Sequence, residues 1–256
     1  NFWFQSRTLL ELTYGQVKPK QADFTSSFAP VGNWEFKLGR SELNKFSETN
    51  ASLNEWYLFF SYMNSNSSIS NIDTNEVSTE FFKFGISKAE GLGYYGPHLS
   101  FIPYVSQSLM WTKLNSYSYS HNSSQSELST NDQDIINRYL DSFRFGDRVL
   151  YGFKSDILSS LQIAVNYETG VIYPRHLFLE WAGSFVLVQA GYAGIDYALG
   201  KFVDDYPVWG PIINFVARSA YLYAYYLVRK NDMNWPFSTE APLRYEGFNF
   251  GVSFVL

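Results

Sequence analysis

The chain of 256 residues has no cysteine and no concentration of positive charge. The lack of cysteine excludes disulfides, thiolate metal ligands and a cysteine nucleophile. No run of about 20 apolar residues occurs, so a bundle of membrane-spanning helices is not expected. The net charge is −5 and basic residues never form a run longer than two, which argues against nucleic acid as a partner. The chain also lacks phosphate-binding loops, dinucleotide fingerprints and internal repeats.

Aromatic residues, in contrast, are abundant. The sequence has 20 Tyr, 23 Phe and 7 Trp, which together make up 20% of the chain. The aromatic girdles at the two interfaces of a membrane β-barrel would use such a content directly. A mean hydropathy of only −0.19 fits this class, because half of every barrel strand is polar. A soluble, aromatic-rich β protein is the alternative.

The segment from Leu243 to Leu256 alternates strictly between two kinds of side chain. Apolar residues point one way and small or polar residues the other: Phe248, Phe250, Val252, Phe254 and Leu256 against Gly247, Asn249, Gly251 and Ser253. This is the pattern of a lipid-facing barrel strand. It resembles the C-terminal signature of bacterial outer-membrane β-barrel proteins, from which it departs at Leu256, where that family usually has an aromatic residue. The resemblance implies a location in the bacterial outer membrane, after removal of a signal peptide, with membrane lipid as a partner.

Eight segments with strand periodicity follow one another along the chain. They cover residues 8–17, 33–39, 56–62, 82–86, 99–114, 143–153, 161–173 and 243–256. The sixth is the weakest, because Asp147 and Arg148 interrupt its apolar face. We therefore predict one domain, residues 1–256, which forms an all-β transmembrane, antiparallel up-and-down β-barrel of about eight strands, within a range of eight to ten.

The connections are predicted to differ in length between the two sides of the membrane. An even strand number places both termini in the periplasm and the longer connections outside. The predicted outer connections are residues 18–32, 65–80, 115–141 and 174–242. The inner ones include the short segment 154–159 and the segment 40–55, which is longer than this rule favours.

The last outer connection, residues 174–242, is too long and too apolar for an ordinary loop. Seven of its apolar residues recur at alternating steps of four and three: Trp181, Phe185, Val188, Tyr192, Ile195, Leu199 and Phe202. This spacing predicts a helix, and Pro211 can open a second one that ends near Lys230. We expect a helical hairpin that plugs the lumen, caps the mouth, lies along the membrane surface or docks a partner. Two further strands of a ten-stranded barrel are the alternative.

His98 and Ser100 are two residues apart at the start of a predicted strand, so their side chains face the same way. This geometry permits a serine nucleophile with a histidine base. It resembles the His-x-Ser arrangement of the outer-membrane phospholipase A and lipid A deacylase families, in which a third group orients the histidine. The nearest residues for that role here are Gln107 and Asn115, whose spacing does not match. The alternative is that His98 and Ser100 are spaced in this way by chance, near a turn, and have no catalytic role.

Glu168, Arg175 and His176 are predicted to form a polar cluster where a strand leads into the first helix. Such a cluster could bind a substrate or anchor the helices, although paired charges are ordinary filling for a barrel lumen. Asp132 and Asp134 lie in a polar loop that lacks the glycine and late glutamate of a calcium loop. The three histidines have no ligand spacing. We therefore predict no metal and no cofactor.

The function predicted from these features is not enzymatic. An eight-stranded barrel is filled by its own side chains, which disfavours a solute pore. The helical hairpin favours an accessory subunit of a multi-protein outer-membrane assembly, for protein insertion, export or envelope attachment, with other outer-membrane or periplasmic proteins as partners. The alternative is a lipid hydrolase with Ser100 as nucleophile and His98 as base. A third interpretation, a narrow channel, would require about ten strands.

Overall fold

A computed structural model describes residues 6–47, 49–73, 76–96, 99–119, 128–158 and 160–256. Nine strands and three α-helices lie in this part of the chain. The strands are β1 (Ser6–Lys20), β2 (Ser27–Phe28), β3 (Val31–Lys45), β4 (Asn50–Asn64), β5 (Glu76–Tyr95), β6 (Ser100–Tyr119), β7 (Phe143–Leu158), β8 (Leu161–Ile172) and β9 (Leu243–Val255). The helices are α1 (Thr130–Asn137), α2 (Phe178–Asp205) and α3 (Gly210–Val228).

Eight of the strands close into one antiparallel barrel. Each strand pairs with the next along the chain, except that the two-residue β2 only adds in parallel to β5. The pairing of β1 with β9 closes the barrel, with Leu9 opposite Val255 and Val17 opposite Gly247. The predicted eight-stranded antiparallel barrel is confirmed, and the ten-stranded alternative is wrong because residues 178–205 and 210–228 are helical.

The connections differ in length at the two ends of the barrel. At the end where β1 begins and β9 ends, the strands are joined by connections of only two to four residues, 46–49, 96–99 and 159–160, and we call this the short-turn end. At the opposite, long-loop end, the connections are residues 21–30, 65–75, 120–142 and 173–242. Two predicted inner connections need correction. The connection predicted at residues 40–55 is much shorter, because β3 continues to Lys45 and β4 begins at Asn50. Most of the connection predicted at residues 154–159 belongs to β7, which ends at Leu158.

The strands bury one face and expose the other with a period of two. In β9 the glycines, Asn249 and Ser253 point inward, whereas Phe248, Phe250 and Phe254 are exposed, as the sequence predicts. Large apolar side chains are exposed along β3 and β4, including Trp34 and Trp56, and at Leu12 of β1. An apolar outer band around a polar interior is the architecture of a transmembrane β-barrel. The chain has this fold.

Helix α1 packs at the long-loop end of the barrel. Ser129 caps the helix by accepting a hydrogen bond from the Asp132 amide at 3.1 Å. The buried Asp132 carboxylate accepts hydrogen bonds from the Thr25 amide at 2.8 Å and the Ser26 amide at 3.0 Å. The apolar face of α1 joins the core at the mouth of the barrel.

The two helices of residues 174–242, which we call the helical insertion, do not enter the lumen. Both run alongside the outer wall of the barrel, packed against each other and mainly over β5–β8. The connection between them reaches the short-turn end, where Asn50 donates a hydrogen bond to the Pro207 carbonyl at 2.8 Å. Among the described residues, no helix is both long and apolar enough to cross a membrane. The helices therefore do not plug the lumen, and the docking of a partner stays a prediction.

Candidate functional site at the helix–wall interface

The lumen is filled by an ion-pair network. Four carboxylates and four basic groups in it are each at most 3% exposed: Glu11, Glu35, Glu55, Glu168, Lys37, Lys83, Arg148 and Lys154. Lys83 Nζ lies 2.7 Å from Glu168 Oε1, and Lys154 Nζ lies 2.6 Å from Glu55 Oε2. The formal charges of these eight groups cancel. Since buried charges are tolerated when they are paired, the network fills the lumen with compensated charge.

The inner surface of the helical insertion packs on outward-facing residues of the wall. Val105 of β6 and Val149 and Tyr151 of β7 occupy outward positions, yet all three are buried. They form one apolar cluster with Val188 and Tyr192 of α2. Helical spacing in α2 places these two side chains on one stripe, as the sequence predicts. The insertion therefore covers a section of wall that would otherwise face lipid.

Asp147 is an acidic residue on the outward face of β7. Arg229, just after α3, donates from Nη1 and Nη2 to its two carboxylate oxygens at 2.7 and 2.8 Å. The Tyr173 hydroxyl donates to the same carboxylate, and the guanidinium lies 4.1 Å from the centroid of the Tyr225 ring. A lone carboxylate facing hydrocarbon would cost a few kcal/mol. The pair therefore fixes the insertion to the one place where Asp147 is compensated.

Three further polar contacts join the insertion to the barrel or stiffen it. Gln189 of α2 donates a hydrogen bond to the outward-facing Gln107 of β6 at 2.9 Å. Nearer the short-turn end, Arg218 Nε lies 2.6 Å from Asp196 Oδ1, and Arg218 Nη1 lies 3.8 Å from the Glu90 carboxylate on β5. Polar groups at membrane depth are found where partners cover them. The rule holds for three outward-facing residues of the wall that the insertion covers, Gln107, Glu90 and Asp147.

The predicted helical row is only partly buried. Val188 and Tyr192 lie against the wall, Trp181, Ile195, Leu199 and Phe202 are partly buried, and Phe185 is exposed. On its opposite face α2 exposes further apolar side chains. Leu179 is 79% exposed, Val186 64% and Tyr197 85%. This outer face of α2 has no covering element in the described part of the chain.

Two adjoining cavities lie where the insertion meets the wall. One, mainly apolar and of about 450 Å³, runs between α2 and the wall and is lined by residues that include Ile86, Val105, Phe185 and Val188. The other, of about 460 Å³, lies near the long-loop end beside Trp111, Phe143, Arg144, Phe145, Arg175 and His176. We call them the groove and the rim cavity. Leu109 and Trp181 line both.

The predicted nucleophile has a structural contact. Ser100 is 2% exposed, and its Oγ accepts a hydrogen bond from the Asp156 amide at 2.8 Å. His98 lies outside the described residues. The two residues considered for the third catalytic role have other partners, since Asn115 donates to Glu80 at 3.2 Å and Gln107 accepts from Gln189. The Ser100 hydroxyl thus ties the start of β6 to β7.

The expected polar cluster of Glu168, Arg175 and His176 is not formed. Glu168 points into the lumen, where it binds Lys83. Arg175 is on the outside and pairs with Glu240 at 3.1 Å, and the His176 ring lies 5.0 Å from that of Phe145. The reason is that β8 ends at Ile172 and the chain then turns onto the outer wall. The position of Glu168 within an inward-facing row could have predicted its separation from the other two.

Sequence reasoning missed the residues that attach the insertion, above all Asp147 and Arg229. The available signal was the charge that interrupts the apolar face of the sixth predicted strand. Gln107, at an outward position of β6, carried the same signal more weakly.

Comparison with known proteins adds little to this description. No protein-family model and no curated protein matches the sequence. Among solved structures, Neisserial surface protein A (NspA) is similar over 97% of both chains, with 8% identity and a TM-score of 0.43. Ail, the attachment invasion locus protein of Yersinia pestis, is similar over 98% of this chain and 99% of its own, with 7% identity and a TM-score of 0.35. At this level, neither structure assigns a function to the chain.

Proposed function

We propose that this protein is a non-enzymatic β-barrel of the bacterial outer membrane that acts as an accessory subunit of a membrane protein assembly. The observation that carries the proposal is the helical insertion on the outer wall, which presents the exposed apolar face of α2 sideways. In the outer membrane, the short-turn end would face the periplasm and the long-loop end would face the outside of the cell.

The interior of the barrel favours a scaffold over a transporter. Lys83, Glu168 and their neighbours occupy the lumen as ion pairs, and the apolar face of α1 packs into the core at the long-loop end. Eight strands leave an interior that side chains can fill. A solute would have to break several buried pairs, each of which is costly to separate.

The α2 face is a suitable surface for another membrane protein. Leu179, Val186 and Tyr197 project from it, while Ala190, Gly194 and Ala198 repeat at every fourth position and are exposed. Small residues at this spacing allow a second helix to approach closely within a membrane. The wall itself offers no such surface at β3, where aromatic and branched side chains project.

The test is site-specific photo-crosslinking in native envelopes. A photoreactive residue at Val186 or Tyr197 is expected to link the protein to one defined protein of fixed stoichiometry, and sizing in mild detergent should give the same complex. The matched control is Leu38 on β3, which is 45% exposed and lies away from the insertion. Equal, lipid-only labelling at all three positions, together with a monomer on sizing, would contradict the proposal.

The lipid-hydrolase alternative receives no support from Ser100. Its hydroxyl is buried and already accepts a backbone hydrogen bond, so it is poorly placed to attack an ester. The accessory-subunit function is therefore the better supported of the two.

A further inference from the structure

The groove is enclosed by protein on three sides. Helix α3 packs directly on β5, β6 and β8, and α2 lies beside it. The wall contributes Ile86 and Val105 to the lining, α2 contributes Phe185 and Val188, and α3 contributes Leu222. These side chains are all apolar. A cavity with such a lining stays dry and binds apolar molecules.

The fourth side of the groove opens sideways, toward β4. Trp56 of β4 and Ile86 of β5 both line the groove and are both exposed. Ile86 lies opposite Leu58, a member of the exposed apolar row of β4. Because this row belongs to the apolar outer band, the opening faces hydrocarbon when the barrel is in a membrane.

The charged residues that line the groove are paired. Each has a partner of opposite charge: Lys88 with Glu90, Asp147 with Arg229, Asp196 with Arg218 and, on the lumen side, Arg148 with Glu35. The amide of Gln189 is likewise bonded to that of Gln107. Recognition of a ligand in the groove therefore depends on the apolar part of that ligand.

The groove has the dimensions of one hydrocarbon chain. Trp181 and Asp196 both line it, and α2 rises between them by roughly 22 Å, at about 1.5 Å per residue. A volume of about 450 Å³ over this length gives a mean cross-section of roughly 20 Å². Carbon atoms that contact their neighbours at about 4 Å form a chain with a cross-section of roughly 16 Å². A helix about 10 Å in diameter would need roughly 1,700 Å³ over the same length, so it does not fit.

We propose that the groove binds one acyl chain of a membrane lipid, which enters sideways past Ile86 and lies beneath α2, whichever headgroup the lipid carries. The medium on the open side of the groove supplies this ligand. The proposal goes beyond the accessory-subunit function, because it concerns the inner face of α2, whereas the protein partner is proposed for the outer face.

The experiment measures the lipid that the barrel retains after transfer from vesicles into mild detergent, by native mass spectrometry. Dipalmitoylphosphatidylglycerol and dipalmitoylphosphatidylcholine are two probes with the same chains and different headgroups. Dioctanoylphosphatidylglycerol is the third probe, with the headgroup of the first and shorter chains. The three probes therefore separate recognition of the chain from recognition of the headgroup.

Two variants fill the groove from opposite sides. Ala193→Trp places an indole in it from α2, and Ile86→Trp places one from the wall. Their matched controls are Leu187→Trp on the same helix and Leu58→Trp on the neighbouring strand, since both leucines are exposed and neither lines the groove. Heat-modifiable migration on gels shows that each variant is a folded barrel.

We expect about one retained lipid per wild-type chain, with the two dipalmitoyl lipids within about twofold of each other. Retention of the dioctanoyl lipid should be lower by about tenfold, because less apolar surface is buried. Ala193→Trp and Ile86→Trp should each retain about tenfold less dipalmitoyl lipid than their controls. The controls should match the wild type.

Three results would overturn the proposal. If either groove variant retains as much lipid as its control, the chain lies elsewhere. A preference of about tenfold for one headgroup would show that recognition rests on the headgroup. Equal retention of the long and short chains would show that the groove does not hold the chain. Because the assay uses the isolated protein, its failure is distinguishable from failure of the crosslinking test.

Discussion

Arg229→Met should release the helical insertion from the barrel wall. The substitution removes both hydrogen bonds to Asp147 and leaves its carboxylate beneath an apolar surface. Breaking a buried ion pair by removing one partner costs about 3–5 kcal/mol. Because the Asp147 side chain is 21% exposed and keeps its bond from Tyr173, we expect about 3 kcal/mol, the lower limit of that range.

A cost of about 3 kcal/mol corresponds to a roughly hundredfold larger undocked population. Native-state hydrogen exchange in detergent measures it, because exchange of α3 amides through local opening reports the free energy of undocking. Protection of α3 should fall by about a hundredfold, while the amides of β1, β3 and β4 keep their protection and serve as an internal reference.

The double variant Asp147→Leu/Arg229→Met separates the charge effect from lost packing. Replacing both members of a buried pair by apolar residues is often neutral, so protection of α3 should return close to the wild-type value. Lys18→Met is a control that breaks the more exposed pair with Glu76, and it should change stability by less than about 1 kcal/mol. Unchanged α3 protection in Arg229→Met, or no recovery in the double variant, would refute this reasoning.

Two further predictions concern the mouth and the lumen. Burial alone would raise the pKa of Asp132, but hydrogen bonds from Thr25 and Ser26 outweigh it and lower the pKa below the ordinary 3.8. Docking of α1 should therefore be intact above pH 3.8 and weaken as the pH falls through the folded-state pKa of Asp132. A fluorophore attached to the variant Asn137→Cys reports this change. The pH dependence should be absent in Asp132→Asn. Arg148→Met removes the two-nitrogen partner of Glu35 and leaves it only the longer contacts with Lys37 at 3.7 Å and Lys83 at 4.0 Å. It should lower the free energy of unfolding in urea titrations by about 3 kcal/mol, and a cost below about 1 kcal/mol would contradict a stabilising role of this pair.

Periodicity predicts the barrel well but places strand ends poorly. The apolar rows mark the part of each strand that faces the outer band, and this part is shorter than the strand. In β3 the outward row of Trp34, Phe36 and Leu38 is followed by Arg40 and polar residues, although hydrogen bonding continues to Lys45. Pairing with the neighbouring strand, which does not require apolar side chains, determines where the strand ends.

The helical insertion shows a second limit of prediction from sequence. A spacing of four and three predicts a helix and the stripe it buries, and Val188 and Tyr192 are indeed buried. It cannot identify the covering surface, because lumen, wall and partner can all be apolar where they meet a helix. The same limit applies to Ser100, for which a period of two gives the facing direction but not the backbone amide of Asp156 that occupies its Oγ.

The information that was missing for the insertion lies in the wall. A lipid-facing strand excludes charge, so Asp147 at an outward position of β7 implies that some element covers that position and supplies a cation. The described chain offers Arg229 for this role, at the end of a helix long enough to lie beside the strands. An interrupted apolar face, which weakens the case for a strand, is therefore also a specific prediction of where another element docks. On this argument, Asp147→Leu alone should leave Arg229 as the uncompensated charge and loosen α3 about as much as Arg229→Met does.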